Sequence, residues 1–161
     1  MTVNNRKPPI TNIVRCAADF FTPFALVYGF AVILHGHLSP GGGFQGGVVV
    51  AGAAVLLWAG YGYEVVGKLL KPDTLKAHEA VAAICYVLLA LLGIAAGAMF
   101  CSNVLWDVGN IGDFISAGTI AFMNYAVGYK VLTGVACLLL LLCSLLSPGG
   151  DEAEAEGGEQ E

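Results

Sequence analysis

The chain has 161 residues, of which 57% are hydrophobic and 12% charged, with a formal net charge of -5 and a mean hydropathy of +0.76. Charged residues make up about a quarter of a typical soluble domain, and a soluble chain of this length cannot enclose so much apolar surface. The composition therefore disfavours a soluble domain and favours a membrane protein.

Four segments are long and apolar enough to cross a bilayer core of about 30 Å, which takes about 20 residues of helix. They cover residues 16–34, 44–63, 80–100 and 122–146. Backbone groups in lipid must bond within their own segment, so each should be a helix. The predicted fold class is therefore all-α, with a four-helix membrane domain over 1–147. The acidic tail over 148–161 is expected to be disordered.

The first span carries Arg15 and Asp19, which lie four residues apart on one helix face and can pair. An ionisable group inside a span costs about 2.5–3.5 kcal/mol on insertion scales. Asp19 is therefore a candidate for an ion path. A solvated charged rim at the membrane surface is the alternative.

The segment 35–47 follows, with Pro40 and five glycines among residues 40–47. This composition interrupts the helix, and the glycines continue into the second span. Small residues at such density let neighbouring helices approach backbone to backbone in lipid. We expect helix packing at Gly41, Gly42, Gly43, Gly46, Gly47 and Gly52.

His35 and His37 begin this segment, two positions apart. On a helix they would point to opposite sides, and no nearby cysteine or carboxylate completes a ligand set. We therefore expect no metal. The pair is expected to hydrogen-bond the glycine-rich turn, with a role in ion entry as the alternative.

Residues 35–54, from His35-Gly36-His37 to Ala53-Ala54, resemble the signature of the MnhB/MrpB family, and the resemblance extends over about residues 12–147. That family comprises membrane subunits of multisubunit cation/proton antiporters and of related hydrogenase and sulfur-reducing complexes. The resemblance implies a non-catalytic subunit that packs against other membrane subunits and serves sodium ions or protons. The residues themselves show no cofactor motif, so we expect no cofactor.

Charged residues cluster between the second and third spans. Glu64 and Lys68 have the same four-residue spacing as the pair in the first span, and His78 and Glu79 open the third span. Glu64, His78 and Glu79 are candidates for the mouth of an ion path. A solvated rim is again the alternative.

Lys130 lies about eight residues into the fourth predicted span, or about 12 Å below its edge. It is either part of a buried polar axis, as in the lysine and glutamate chains that the resemblance implies, or a snorkelling interfacial residue or member of a structural pair. If Lys130 is interfacial, Tyr125 and Tyr129 would form an aromatic belt beside it while its ammonium snorkels outward. Asp107 and Asp113 in the outer loop are candidate partners for it.

The element Val127-Gly128-Tyr129-Lys130-Val131 is similar to the hydrogenase or sulfur-reductase versions of the family. The resemblance therefore implies a redox-driven ion-pumping complex. A stand-alone Mrp-type antiporter, a purely structural spacer and a self-sufficient small transporter remain alternatives.

Six of the seven basic residues precede the first span or lie between the second and third. Basic residues near span ends stay cytoplasmic. We therefore expect a multi-pass protein of the plasma membrane with both termini inside the cell.

The remaining residues favour neither catalysis nor nucleic-acid binding. The five cysteines form no C-x-x-C pair and are expected to be small buried hydrophobes, except Cys101, which can reach the outer surface. No nucleophile–base pair, phosphate loop or cofactor motif is present, and no basic patch suits a nucleic acid.

Overall fold

A computed structural model describes residues 11–110, 112–113 and 115–146. Within these ranges all regular structure is helical. The helices are α1 (Asn12–Leu34), α2 (Gly43–Tyr61), α3 (Tyr63–Leu69), α4 (Pro72–Ala95) and α5 (Thr119–Leu146). All but the short α3 are long and apolar enough to cross a membrane, which confirms the four predicted spans. Arg6, Lys7 and the predicted acidic tail lie outside the described residues.

The third span begins earlier than predicted. α4 starts at Pro72 instead of residue 80, so Lys76, His78 and Glu79 lie on the helix and not before it. Proline is pre-organised for the first helical position, and Asp73 in the first turn interacts favourably with the helix dipole. Local helix signals thus outweigh the hydropathy boundary, which marks only where apolar residues begin.

The same span also ends earlier, at Ala95 instead of residue 100. Gly97 has a φ of 75°, and its N–H bonds the carbonyl of Ile94 at 2.9 Å. The N–H of Ala98 bonds the carbonyl of Gly93 at 2.8 Å. These two bonds form a Schellman motif, which stops the helix although the apolar run continues.

The long helices pack side by side in the order α1, α2, α5, α4. α2 and α5 run in the same direction, since the start of α2 at Gly43 lies against Asn124 near the start of α5. The row of helices therefore has two ends. We name the end with Arg15 and Lys71 the basic end, and the end with the connections 35–42 and 96–118 the loop end. α4 is an edge helix that packs mainly on α5, so much of its surface is free for lipid or another protein.

Glycines bring α2 into close contact with both of its neighbours. A Cβ on Gly46 would lie 2.7 Å from the carbonyl oxygen of Gly29 on α1, and one on Gly47 would lie 2.8 Å from that of Gly128 on α5. Gly43 likewise abuts the main chain of α5 near Asn124. These distances leave no room for a side chain, so α2 is held between α1 and α5 by backbone contact.

The other glycines of the segment are less confined. A Cβ on Gly41 or Gly42 would have no neighbour closer than 3.4 Å, which is ordinary van der Waals contact. Gly52 has no atom within 4 Å of that position. Gly42 instead precedes α2, and its N–H donates to Oε1 of Gln45 in the first turn.

Candidate functional site

An ion pair joins the two membrane-length helices α4 and α5. Nζ of Lys130 lies 3.1 Å from Oε1 of Glu79. Gly134, one turn beyond the lysine on α5, makes room for the carboxylate, because a Cβ there would lie 3.0 Å from the carboxyl carbon. The candidate partners Asp107 and Asp113 do not pair with Lys130, since its ammonium bonds a residue of α4 and not one of the loop. The contact with Glu79 agrees with the alternative of a structural pair.

A second polar contact lies beside the ion pair. The Tyr129 hydroxyl and Nδ1 of His78 share a hydrogen bond of 2.7 Å, and their rings meet nearly edge to face with centroids 6.1 Å apart. Thr133 donates its hydroxyl back to the carbonyl of Tyr129 at 2.9 Å, within α5. We name the four residues His78, Glu79, Tyr129 and Lys130 the α4–α5 polar face.

The α4–α5 polar face lies well inside the lengths of its two helices. Lys130 is about 16 Å along α5 from Thr119 and about 24 Å from Leu146, at 1.5 Å per residue. Glu79 is about 10 Å along α4 from Pro72. Yet the side chains of Lys130 and Glu79 are 47% and 37% exposed in the isolated chain. The pair therefore sits on the outer surface of the helix row, away from the ends of both helices.

The predicted pairing of Arg15 with Asp19 does not form; each has a different partner on α2. Nε of Arg15 donates to the carbonyl of Gly60 at 3.3 Å, and its guanidinium lies 6.0 Å from the ring centroid of Tyr61. The Tyr61 hydroxyl donates to Oδ1 of Asp19 at 2.5 Å. Tyr61 was not singled out from the sequence, since a tyrosine at a span end is common in interfacial belts. The contacts tie the basic ends of α1 and α2 together.

The two histidines of the loop end hold the connections there. Nδ1 of His35 lies 2.9 Å from the carbonyl of Ala31, one turn back in α1. Nε2 of His37 lies 3.2 Å from the carbonyl of Asp113, in the connection between α4 and α5, and its ring packs edge to face on Tyr125. These bonds reach the last turn of α1 and the connection between α4 and α5, and the expected bonding of the glycine-rich turn stays a prediction.

Asn124 is the main residue that the sequence analysis missed. Its Oδ1 accepts the N–H of Gly43 at 2.6 Å, and its Nδ2 donates to the carbonyl of Ile33 at 2.7 Å. One side chain thus satisfies an orphan donor at the start of α2 and a carbonyl near the end of α1. The signal by which the sequence could have revealed Asn124 is a polar amide side chain among the apolar residues of the fourth span.

The candidates therefore separate into distinct places. His78, Glu79 and Lys130 come together; Asp19 lies near the basic end of α1; His35 and His37 lie at the loop end. Glu64 belongs to α3, and its side chain lies outside the described part of the chain. Among the described residues, no group of three or more His, Cys, Asp or Glu could hold a metal ion.

The cysteines divide between two environments. Cys137 and Cys143 are buried, as expected of small hydrophobes, and Cys101 is exposed, also as expected. Cys16 and Cys85 are exposed on α1 and α4, so the expectation of burial within the chain was wrong for these two. Their helices lie at the edges of the row, where apolar residues need not face the chain's own interior.

Comparison with known proteins agrees with the resemblance found in the sequence. A protein of Methanocaldococcus jannaschii, "Uncharacterized protein MJ1307", is 32% identical over 138 residues, which cover 82% of this chain and 52% of that protein. The chain thus spans about half the length of this relative. The "Putative antiporter subunit mnhB2" of Staphylococcus aureus, strains Newman and JH1, is 25% identical over 132 residues, which cover 81% of this chain and 92% of that protein.

A family model described as a domain related to the MnhB subunit of Na+/H+ antiporter matches residues 13–137. The matched stretch contains α1 to α4, the glycine segment and the first two-thirds of α5, including the whole α4–α5 polar face. The match covers well over half of the chain and includes its four apolar helices, so the chain belongs to the MnhB family.

Proposed function

We propose that the chain is a non-catalytic membrane subunit of a multisubunit sodium–proton antiporter module. In this proposal the α4–α5 polar face is where it meets a neighbouring subunit and lines part of a sodium or proton route. The family and the name of the Staphylococcus relative support the antiporter context.

The exposed ion pair is the observation that carries this proposal. On insertion scales, each charge at the centre of a span costs about 2.5–3.5 kcal/mol. Pairing lowers that cost, but side chains that are 47% and 37% exposed on one chain would still meet hydrocarbon if the chain stood alone. A polar surface of another membrane subunit removes the conflict. It also places a lysine and a glutamate beside a subunit boundary, where ions or protons can pass between polar groups.

The proposal includes an orientation and a larger complex. Arg15, Lys68, Lys71 and Lys76 all belong to the basic end, which by the positive-inside rule is the cytoplasmic one in a plasma membrane. The Gly128-Tyr129-Lys130-Val131 element supports a redox-driven complex of the hydrogenase or sulfur-reductase type. A stand-alone antiporter is the alternative, and the genes beside this one distinguish the two.

The test uses the whole complex, in membrane vesicles from cells that carry it. Lys130→Met and Glu79→Gln remove one charge each with little change in shape, and Lys76→Met removes a charge from α4 outside the polar face. Sodium-dependent proton movement is followed with a pH-sensitive dye, and co-purification of the other subunits reports assembly. We expect the first two variants to lose at least tenfold in exchange rate with assembly intact, and Lys76→Met to resemble the wild type.

Other outcomes decide between the alternatives. Unchanged exchange in both polar-face variants removes the pair from the route. Loss of assembly without a specific loss of exchange supports the structural spacer. Exchange by the purified chain alone in liposomes supports a self-sufficient transporter.

A further inference from the structure

We propose that a groove between α3 and α4 at the basic end binds the phosphate headgroup of an anionic membrane lipid. The groove is about 270 Å³ in volume. It is formed where the chain leaves the last turn of α3 and enters the first two turns of α4. Its lining residues are Lys68, Leu69, Leu70, Lys71, Thr74, Leu75 and His78.

The charge of the lining fits a phosphate. Lys68 and Lys71 both line the groove, and the lining contains no carboxylate. Within the described residues neither lysine forms an ion pair. Thr74, one turn into α4, also lines the groove and carries a hydroxyl. Two lysines that flank one cavity on different elements can approach one phosphate from two sides.

The apolar part of the groove favours a lipid over a free anion. Leu69 is 73% exposed, and Val65, one turn earlier on α3, is 53% exposed. Cationic side chains beside exposed apolar ones match a molecule that carries a phosphate next to hydrocarbon. The volume lies near the lower limit of about 300–1,000 Å³ for small-molecule pockets, which suits a headgroup whose chains remain in the bilayer. Basic pockets between membrane helices bind lipid headgroups in this manner.

Among the side chains that the structure describes, neighbouring charges leave the groove cationic. Asp73 lies in the first turn of α4 but does not line the cavity. Glu79, one residue beyond His78, is held by Lys130 on α5. His78 forms the inner wall and bonds Tyr129 through Nδ1. A headgroup in the groove would therefore border the α4–α5 polar face at His78, which belongs to both, although lipid binding does not depend on that face having an ion route.

The experiment measures lipid binding by the full-length chain, purified in dodecyl maltoside. Mixed micelles with phosphatidylglycerol, with phosphatidylcholine, or with sodium phosphate and no lipid are compared. Native mass spectrometry counts the retained lipids, and thermal unfolding reports stabilisation. The variants are Lys68→Ala and Lys71→Ala, with Lys76→Ala as the matched control, because it removes the same charge from α4 outside the groove.

We expect phosphatidylglycerol to be retained in preference to phosphatidylcholine. Each groove variant should bind it about fivefold more weakly, and Lys76→Ala within about twofold of the wild type. Equal retention of the two lipids by the wild-type chain would overturn the proposal without recourse to any variant. An equal loss of binding in Lys76→Ala would also overturn it, because it would indicate diffuse attraction to the basic end. Displacement of the lipid by an equal concentration of phosphate would overturn it as well, because it would indicate a site for small anions.

Discussion

The contact of α2 with α5 gives the sharpest stability prediction, for the substitution Gly47→Ala. A Cβ there would lie 2.8 Å from the carbonyl oxygen of Gly128, 2.9 Å from Cβ of Val131 and 3.0 Å from the amide nitrogen of Leu132. Two of the three atoms are main chain and cannot rotate away. Favourable contact between carbon atoms needs about 3.5–4.0 Å, so the helices would have to separate by roughly 0.6 Å.

The size of the effect follows from this overlap. Overpacking in a close-packed interior costs about 1–3 kcal/mol. Alanine also favours helix over glycine by about 1 kcal/mol, which partly hides the loss. Gly52→Ala is the matched control, because it lies on the same helix and no atom lies within 4 Å of its Cβ position. The propensity gain is common to both variants, so the difference between them isolates the steric cost. We expect Gly47→Ala to be less stable than Gly52→Ala by about 1–3 kcal/mol.

The measurement is an equilibrium unfolding titration of the full-length chain in dodecyl maltoside with added sodium dodecyl sulfate. Tryptophan fluorescence, from the half-buried Trp58 on α2 and the exposed Trp106 in the loop after α4, follows the separation of the helices, and circular dichroism follows helix content. If Gly47→Ala and Gly52→Ala unfold at the same detergent fraction, the close approach of α2 to α5 does not hold the row together, and the reasoning fails.

Three further substitutions test other contacts. Asn124→Ala leaves the N–H of Gly43 without its partner and removes one of the two bonds to the Ile33 carbonyl, which also accepts the N–H of Gly36. It should cost about 1–3 kcal/mol in the same titration, and an unchanged stability would contradict its role as a clamp. Gly97→Ala should cost about 1–2 kcal/mol, because a residue with a side chain is strained at the positive φ of Gly97 although no atom lies within 4 Å of the Cβ position. An unchanged stability would argue against the Schellman motif at the end of α4. Gly134→Val should displace the carboxylate of Glu79 from Lys130 and reduce exchange in vesicles as Glu79→Gln does, although both charges remain; wild-type exchange would show that the pair tolerates separation.

Much of the architecture was accessible without coordinates. Hydropathy and segment length placed four spans, since lipid leaves the backbone no alternative to helix. Helix ends were less accessible, because they follow from capping. Pro72 starts α4 before its apolar residues begin, and Gly97 ends it before they stop. Gly43, Gly46 and Gly47 were expected to pack closely and do so, but Gly52, with the same chemistry, faces open space.

The candidate site shows the same division. The sequence by itself determined that this is a four-span membrane protein with a glycine-rich break, and that Lys130, Glu79 and His78 need polar surroundings, because the cost of a charge in hydrocarbon does not depend on the fold. Only the tertiary structure decided which partner each residue has. Glu79 and Lys130 are separated by 51 positions in the chain. They meet only because α4 packs antiparallel on α5 and Gly134 leaves room for the carboxylate. Asn124 became a clamp for the same reason, since the groups it bonds on α1 and α2 converge only when the helices are assembled.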